Sequence, residues 1–219
     1  YGELNKRVNQ LANGLKNLGI KSGDHVAFLI NDKAECVELM FALNRIGAAW
    51  VPCNCRFTEK EILTQIVHSD AVALVFDHEF ESIVANIQSK LNLPSSHYVS
   101  IGNVTERFTN YEMLIRKSSP EKPNVQVKDT ESCGIIYTSG TTGVPKGAIH
   151  THQTIIGWAM NLILLPGWRW DDKILNPYPM FALGGTVGSI AIMMSGGTNY
   201  IFGKFEVEKF LKTVEQEEI

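Results

Sequence analysis

Along this chain the apolar residues alternate between two patterns, the spacing of a helix and the continuous run of a buried strand. This alternation restricts the possible folds. Five apolar residues near the start recur at spacings of four and three, which predicts a helix with one buried face; they are Leu4, Val8, Leu11, Leu15 and Leu18. Residues 25–30 (HVAFLI), after the initial His25, and residues 71–76 (AVALVF) are continuously apolar, which is typical of strands buried on both faces. Helix and strand patterns then alternate along the chain. This order predicts an α/β fold, a mostly parallel sheet covered by helices.

Composition excludes several classes of protein. The 219 residues are 44% hydrophobic and carry a net charge of -3, so the chain is too apolar for disorder and lacks the basic excess of a nucleic-acid binder. The four cysteines have no paired metal-ligand spacing, which favours a reducing cytoplasm. The chain begins with Tyr1 rather than Met, and we expect that the native protein begins earlier.

One long stretch, 174–203, contains no charged side chain. A membrane-spanning helix needs about 20 continuous apolar residues. Prolines and glycines divide this stretch into short pieces, among them Pro177, Pro179, Gly196 and Gly197. We therefore predict a buried strand, turn and helix here, and no transmembrane segment.

A glycine-rich segment follows the strand pattern at 134–138. Residues 139–147 read SGTTGVPKG. Glycines let successive backbone amides turn toward an anion, hydroxyls add donors and a lysine adds positive charge, so the segment suits phosphate binding. It is not a Walker A loop, because Lys146 lies between Pro145 and Gly147 rather than before a Ser or Thr. The alternative is a plain turn between two strands with a solvated Lys146.

Residues 137–147 (YTSGTTGVPKG) resemble the AMP-binding signature of the adenylate-forming superfamily, which includes acyl-CoA synthetases and adenylation domains. Other landmarks of that superfamily appear in the expected order. Residues 1–4 (YGEL) and 45–52 (RIGAAWVP) resemble its early motifs, and 150–152 (HTH) resembles the short stretch that starts the next helix. The resemblance therefore covers essentially the whole chain.

The resemblance implies an ATP-dependent acid–CoA ligase, most like the fatty-acid and other acyl-CoA ligases, whose substrates are a small carboxylic acid, ATP and coenzyme A. The residues it assigns to nucleotide phosphates are Thr138, Ser139, Gly140, Thr141, Thr142 and Gly143. Lys146 would be catalytic, neutralising charge on the departing pyrophosphate. The hydroxyl of Thr141 would bind Mg²⁺. Apart from the resemblance, His152 follows the glycine-rich segment closely enough in sequence to be a further candidate contact for the nucleotide.

Residues 177–185 (PYPMFALGG) resemble the motif beside the carboxylate substrate, and its candidate pocket residues are Phe181, Ala182, Gly184 and Gly185. Ala182 stands where many acyl-CoA synthetases have His. Amino-acid-activating domains hold the substrate amine with an Asp in this segment. This chain has no Asp in the segment, which favours a substrate with an uncharged acyl chain, because an ammonium group would lack a counter-charge. An adenylation domain for amino acids and a non-catalytic nucleotide-binding module remain the alternatives.

Several motifs of the superfamily are absent from these residues. They include the segment with a Glu for Mg²⁺, the Asp that holds the ribose, the hinge and the small C-terminal domain. No Tyr-Gly-x-Thr-Glu and no Thr-Gly-Asp occurs. We therefore expect residues 1–219 to be the N-terminal part of an AMP-binding domain that is inactive alone.

Overall fold

The computed structural model describes residues 1–102, 107–138, 146–203 and 205–219. Within these ranges the strands are β1 (His25–Leu29), β2 (Ala49–Pro52), β3 (Ala71–Asp77), β4 (Tyr98–Ile101), β5 (Thr109–Asn110), β6 (Ser132–Thr138), β7 (Lys146–Thr151), β8 (Lys173–Asn176) and β9 (Thr198–Ile201). The helices are α1 (Gly2–Asn17), α2 (Ala34–Arg45), α3 (Glu59–His68), α4 (Glu81–Ile87), α5 (Tyr111–Arg116), α6 (His152–Leu164), α7 (Leu183–Ser195) and α8 (Val207–Glu217).

The main sheet has seven strands in the order β5-β4-β3-β1-β2-β6-β7. All neighbouring pairs are parallel except β6 and β7, which form an antiparallel pair at one edge. The predicted α/β class with a mostly parallel sheet is confirmed. From β1 the chain proceeds to β2 on one side and then to β3 on the other. In sheets of this kind ligands bind outside the carboxyl ends of the strands, where the strand order reverses.

Two apolar layers cover the central strands, because alternate side chains of a strand point to opposite faces. Val26 and Phe28 belong to the layer that contains α1 and α2, whereas Ala27 and Leu29 belong to the layer that contains α3 and α4. All four side chains are almost completely buried. This arrangement explains the continuously apolar strand sequences.

Gly134 fixes β6 beside β2. A Cβ atom at this position would lie 2.4 Å from ring carbons of Trp50, and Trp50 is fully buried. Trp50 and Gly134 are the paired residues of the two parallel strands. The missing side chain therefore lets β6 approach the sheet, which places Thr138 at the same edge as the carboxyl ends of β1 and β2.

Thr58 and Glu61 form a capping box at the N-terminus of α3, and a Thr followed three residues later by a Glu is the sequence pattern that predicts such a cap. The Thr58 hydroxyl accepts a hydrogen bond from the Glu61 backbone N–H at 3.4 Å, and the Glu61 carboxylate accepts one from the Thr58 N–H at 2.8 Å. We expect Thr58→Ala to lower the free energy of unfolding by about 1 kcal/mol, measured by urea denaturation. Thr64→Ala is the control, because Thr64 is exposed in the interior of the same helix. An equal loss in both variants would contradict a capping role.

The uncharged stretch forms β8, α7 and β9, with β8 and β9 paired in parallel in a separate sheet. Its helix, α7, has only 13 residues. Across the ranges that the structure describes, no helix has the length and apolar character to cross a membrane.

Candidate functional site

Three neighbouring strands of the main sheet end at one edge, which we call the carboxyl edge. Asp32 follows β1, Arg56 follows β2, and residues 139–145 follow β6. Since β1, β2 and β6 are adjacent and parallel, the carboxyl ends of these strands lie side by side. This edge is where the fold favours a ligand.

Thr138 and Lys146 are brought together by the β6–β7 hairpin. They are directly paired across the antiparallel strands, and both are exposed. The residues between them lie outside the described part of the chain, and with them the predictions for Ser139, Gly140, Thr141, Thr142 and Gly143. The hairpin thus presents the Thr138 hydroxyl directly before residues 139–145 and the Lys146 ammonium group directly after them.

His152 is not brought to this site. The hairpin pairs Thr151 with Ser132, at the opposite end of β6 from Thr138. Six residue-to-residue steps of extended chain lead from Lys146 to His152, a distance of about 20 Å. His152 therefore lies outside the site that Thr138 and Lys146 define, because β7 leads away from the loop.

His152 lines a cavity of about 690 Å³ together with Asn44, Arg45 and Cys133. Burial lowers the pKa of its imidazole, against a smaller opposing effect of Glu131. Its Nε2 atom is buried and has no hydrogen-bond partner among the described residues. His152 is thus a partly buried side chain at the amino edge of the sheet.

The predicted substrate segment, 177–185, contacts the carboxyl edge through its centre. The Met180 backbone N–H donates to Asp32 Oδ1 at 2.6 Å, and the Arg56 guanidinium carbon lies 5.8 Å from the centre of the Phe181 ring. Met180 is fully buried, whereas Phe181 and Ala182 are half-buried. Phe181 is therefore not part of a closed core.

The two glycines of the segment have different surroundings. Gly184 lines a cavity of about 330 Å³ together with Trp158, Leu183 and Val187. Gly185 is buried, and a Cβ atom there would lie 2.3 Å from the carbonyl oxygen of Pro179. Gly184 therefore borders the cavity, and a Cβ atom there would meet only the Tyr178 side chain at 3.7 Å, whereas Gly185 allows the segment to fold back on itself at the start of α7.

Sequence reasoning missed Asp32 and Arg56. Burial raises the pKa of the Asp32 carboxyl, while the Met180 N–H and the charge of Arg56 oppose that effect. Each of the two residues follows a buried strand that ends at the carboxyl edge. That position after a parallel strand was the signal available in the sequence.

The described residues contain no group of three or more His, Cys, Asp or Glu side chains that could hold a metal ion. The predicted Mg²⁺ ligand, Thr141, lies outside those residues.

Known proteins resemble this chain along its whole length. The family model of the AMP-binding enzymes matches residues 1–219. A feruloyl-CoA synthase of Amycolatopsis is 30% identical, with 100% of this chain and 42% of that protein covered. A long-chain-fatty-acid–CoA ligase of Mycobacterium tuberculosis, FadD13, is 27% identical with the same coverage.

Solved structures agree with these matches. The inhibitor-bound N-terminal domain of FACL13 from M. tuberculosis has a TM-score of 0.90 and 26% identity, covering 100% of this chain and 54% of that one. The anthranilate CoA ligase AuaEII in complex with anthranoyl-AMP has a TM-score of 0.92 and 27% identity, covering 97% and 42%. The chain spans 42% of the length of the two curated relatives. With a family model matched from its first residue to its last, the chain belongs to the AMP-binding enzyme family.

Proposed function

We propose that the full-length protein containing this chain is an ATP-dependent ligase that joins a carboxylic acid to coenzyme A through an acyl-adenylate. The observation that carries the proposal is the direct pairing of Thr138 and Lys146 at the carboxyl edge, across the ends of the glycine-rich segment. Relatives that are named as CoA ligases support it. Residues 1–219 would form the N-terminal part of the AMP-binding domain.

In the first step a carboxylate oxygen attacks the α-phosphorus of ATP, and the bond to the pyrophosphate breaks. Negative charge then grows on the leaving group. Lys146 is exposed at the beginning of β7, where its ammonium group can reach phosphates held by the glycine-rich segment. Charge stabilisation of this kind is the main contribution that proteins make to phosphoryl and nucleotidyl transfer.

In the second step the sulfur of coenzyme A attacks the acyl carbonyl carbon, and AMP leaves with the former carboxylate oxygen. We expect residues 1–219 alone to complete neither step, since the ribose and hinge motifs of the superfamily are absent from them.

The proposed substrate is an acid with an uncharged acyl group. The cavity beside Gly184 is bordered by the apolar side chains of Trp158, Leu162 and Val187. Residues 181–184 contain no carboxylate that could hold a substrate amine. The long-chain-fatty-acid and feruloyl relatives are named for uncharged acyl groups, which supports the same choice.

Acid-dependent exchange of labelled pyrophosphate into ATP by the full-length protein tests the proposal. A panel of fatty acids, aryl acids and α-amino acids distinguishes the substrate classes. We expect exchange with a fatty or aryl acid and none with α-amino acids. Exchange with amino acids alone would assign an adenylation domain, and no exchange with any acid would favour a non-catalytic module.

A further inference from the structure

Two side chains at the carboxyl edge hold the segment 177–185 from outside it. We propose that Asp32 and Arg56 are positioning residues for the carboxylic acid substrate, which fix this segment against the ends of β1 and β2. The inference rests on the proposed function, because that function makes 177–185 the segment beside the reacting carboxylate. Neither residue needs to contact the substrate.

Asp32 holds the backbone of the segment. Its Oδ1 atom accepts the Met180 N–H at 2.6 Å, a short hydrogen bond of the kind that a charged acceptor makes. The Met180 carbonyl oxygen in turn accepts a hydrogen bond from the Thr186 hydroxyl at 2.8 Å. Both backbone polar groups of a fully buried residue are thereby satisfied, and β1 is connected through Met180 to the first turn of α7.

Arg56 contacts the side chain of Phe181, the residue that follows Met180. Its guanidinium carbon lies 5.8 Å from the Phe181 ring centre, within the range of a cation–π contact. Its positive charge also favours the ionised form of Asp32. The one arginine therefore contacts the Phe181 ring and stabilises the carboxylate that binds Met180.

The contacts of Asp32 and Arg56 affect the proposed reaction because the segment 177–185 continues from Phe181 to a cavity. Gly184, three residues after Phe181, borders the cavity of about 330 Å³. Thr138 lies at the carboxyl end of β6, the strand next to β2 in the main sheet. An acid in that cavity must direct its carboxylate toward a nucleotide at the glycine-rich segment. A displacement of about 1 Å in such an arrangement can reduce a rate by about a hundredfold.

The first test compares Asp32→Ala with Asp24→Ala in the full-length protein. Asp24 is a matched control, because its carboxylate also accepts one backbone N–H at 2.7 Å, that of Lys21, before the beginning of β1. For Asp32→Ala we expect the KM for the acid to rise by about tenfold or more and the KM for ATP to change by less than about twofold. Asp32→Asn keeps an oxygen acceptor and should have a smaller effect.

Arg56→Gln provides an independent test, since Arg56 is exposed and its loss leaves no buried cavity. It removes the charge and should raise the KM for the acid, whereas Arg56→Lys, which keeps a cation, should restore it in part. Arg169→Gln is the control, because Arg169 is an exposed arginine paired with Asp171. If Asp32→Ala does not fold, the KM values of Arg56→Gln, Arg56→Lys and Arg169→Gln for the acid test the inference on their own.

Amide hydrogen exchange tests the contact between Asp32 and Met180 without a measurement of activity. The Met180 amide should exchange faster in Asp32→Ala than in Asp24→Ala, because only the first variant removes its acceptor. An unchanged KM for the acid in both Asp32→Ala and Arg56→Gln, in an active wild type, would overturn this inference alone. Absence of pyrophosphate exchange in the wild type would overturn the proposed function, and this inference with it.

Discussion

Replacing Lys146 with alanine in the full-length protein is expected to slow acyl-adenylate formation by about 10²- to 10³-fold, the usual cost of removing one group that stabilises transition-state charge. Stability should hardly change. Lys146 is exposed at the first position of β7, and exposed substitutions away from caps and buried networks usually have small effects. Single-turnover formation of acyl-AMP measures the first expectation, and thermal unfolding measures the second.

Lys173→Ala is the matched control for Lys146→Ala. Lys173 is also exposed and also begins a strand, β8, in the smaller sheet. We expect this variant to form the adenylate at nearly the wild-type rate. Equal rates in the Lys146→Ala variant and the wild type would remove Lys146 from the mechanism. A parallel loss of rate and thermal stability would assign it a structural role.

Replacing Glu38 with alanine is expected to cause the largest loss of stability, about 3 kcal/mol or more. Glu38 on α2 is buried and forms an ion pair with Arg7 of α1, Nε to Oε1 at 2.5 Å. It also accepts a hydrogen bond from the hydroxyl of Tyr111 at 3.0 Å. Tyr111 is fully buried, so the variant would leave a polar group without a partner in the core.

Glu35→Ala makes the same change on the same helix and serves as the control. Glu35 makes no hydrogen bond or ion pair within the described ranges, so we expect its loss to change the free energy of unfolding by less than about 0.5 kcal/mol. Chemical denaturation of each variant measures the difference. A loss below about 1 kcal/mol for Glu38→Ala would show that the Arg7–Glu38–Tyr111 network contributes little.

Local elements of the fold could be predicted from the sequence because they depend on nearby residues. The apolar spacing of α1, the capping box at Thr58 and the apolar run of β3 each lie within one short segment. The order of strands in the sheet could not be predicted this way. It depends on contacts between distant segments, such as the Trp50–Gly134 pair, which the spacing of apolar residues does not encode.

The candidate site was predictable only in part, for the same reason. A glycine-rich run after an apolar strand predicts a phosphate site between Thr138 and Lys146, and the structure pairs these two residues at the carboxyl edge. Closeness in sequence favours His152 as a neighbour of that region, whereas the antiparallel strand β7 carries the chain to the opposite edge. Asp32 was missed because its partner, Met180, is 148 positions away. Such a contact becomes visible only when the sheet brings the carboxyl ends of its strands together.

In the proposed reaction a carboxylate oxygen attacks the α-phosphorus of ATP at the carboxyl edge. The most direct test supplies the full-length protein with ATP, coenzyme A and an acid labelled with ¹⁸O in its carboxylate, and then analyses the products by mass spectrometry. Attack at the α-phosphorus predicts AMP that contains one ¹⁸O atom, together with unlabelled pyrophosphate. Recovery of the label in inorganic phosphate, with ADP as the nucleotide product, would exclude attack at the α-phosphorus.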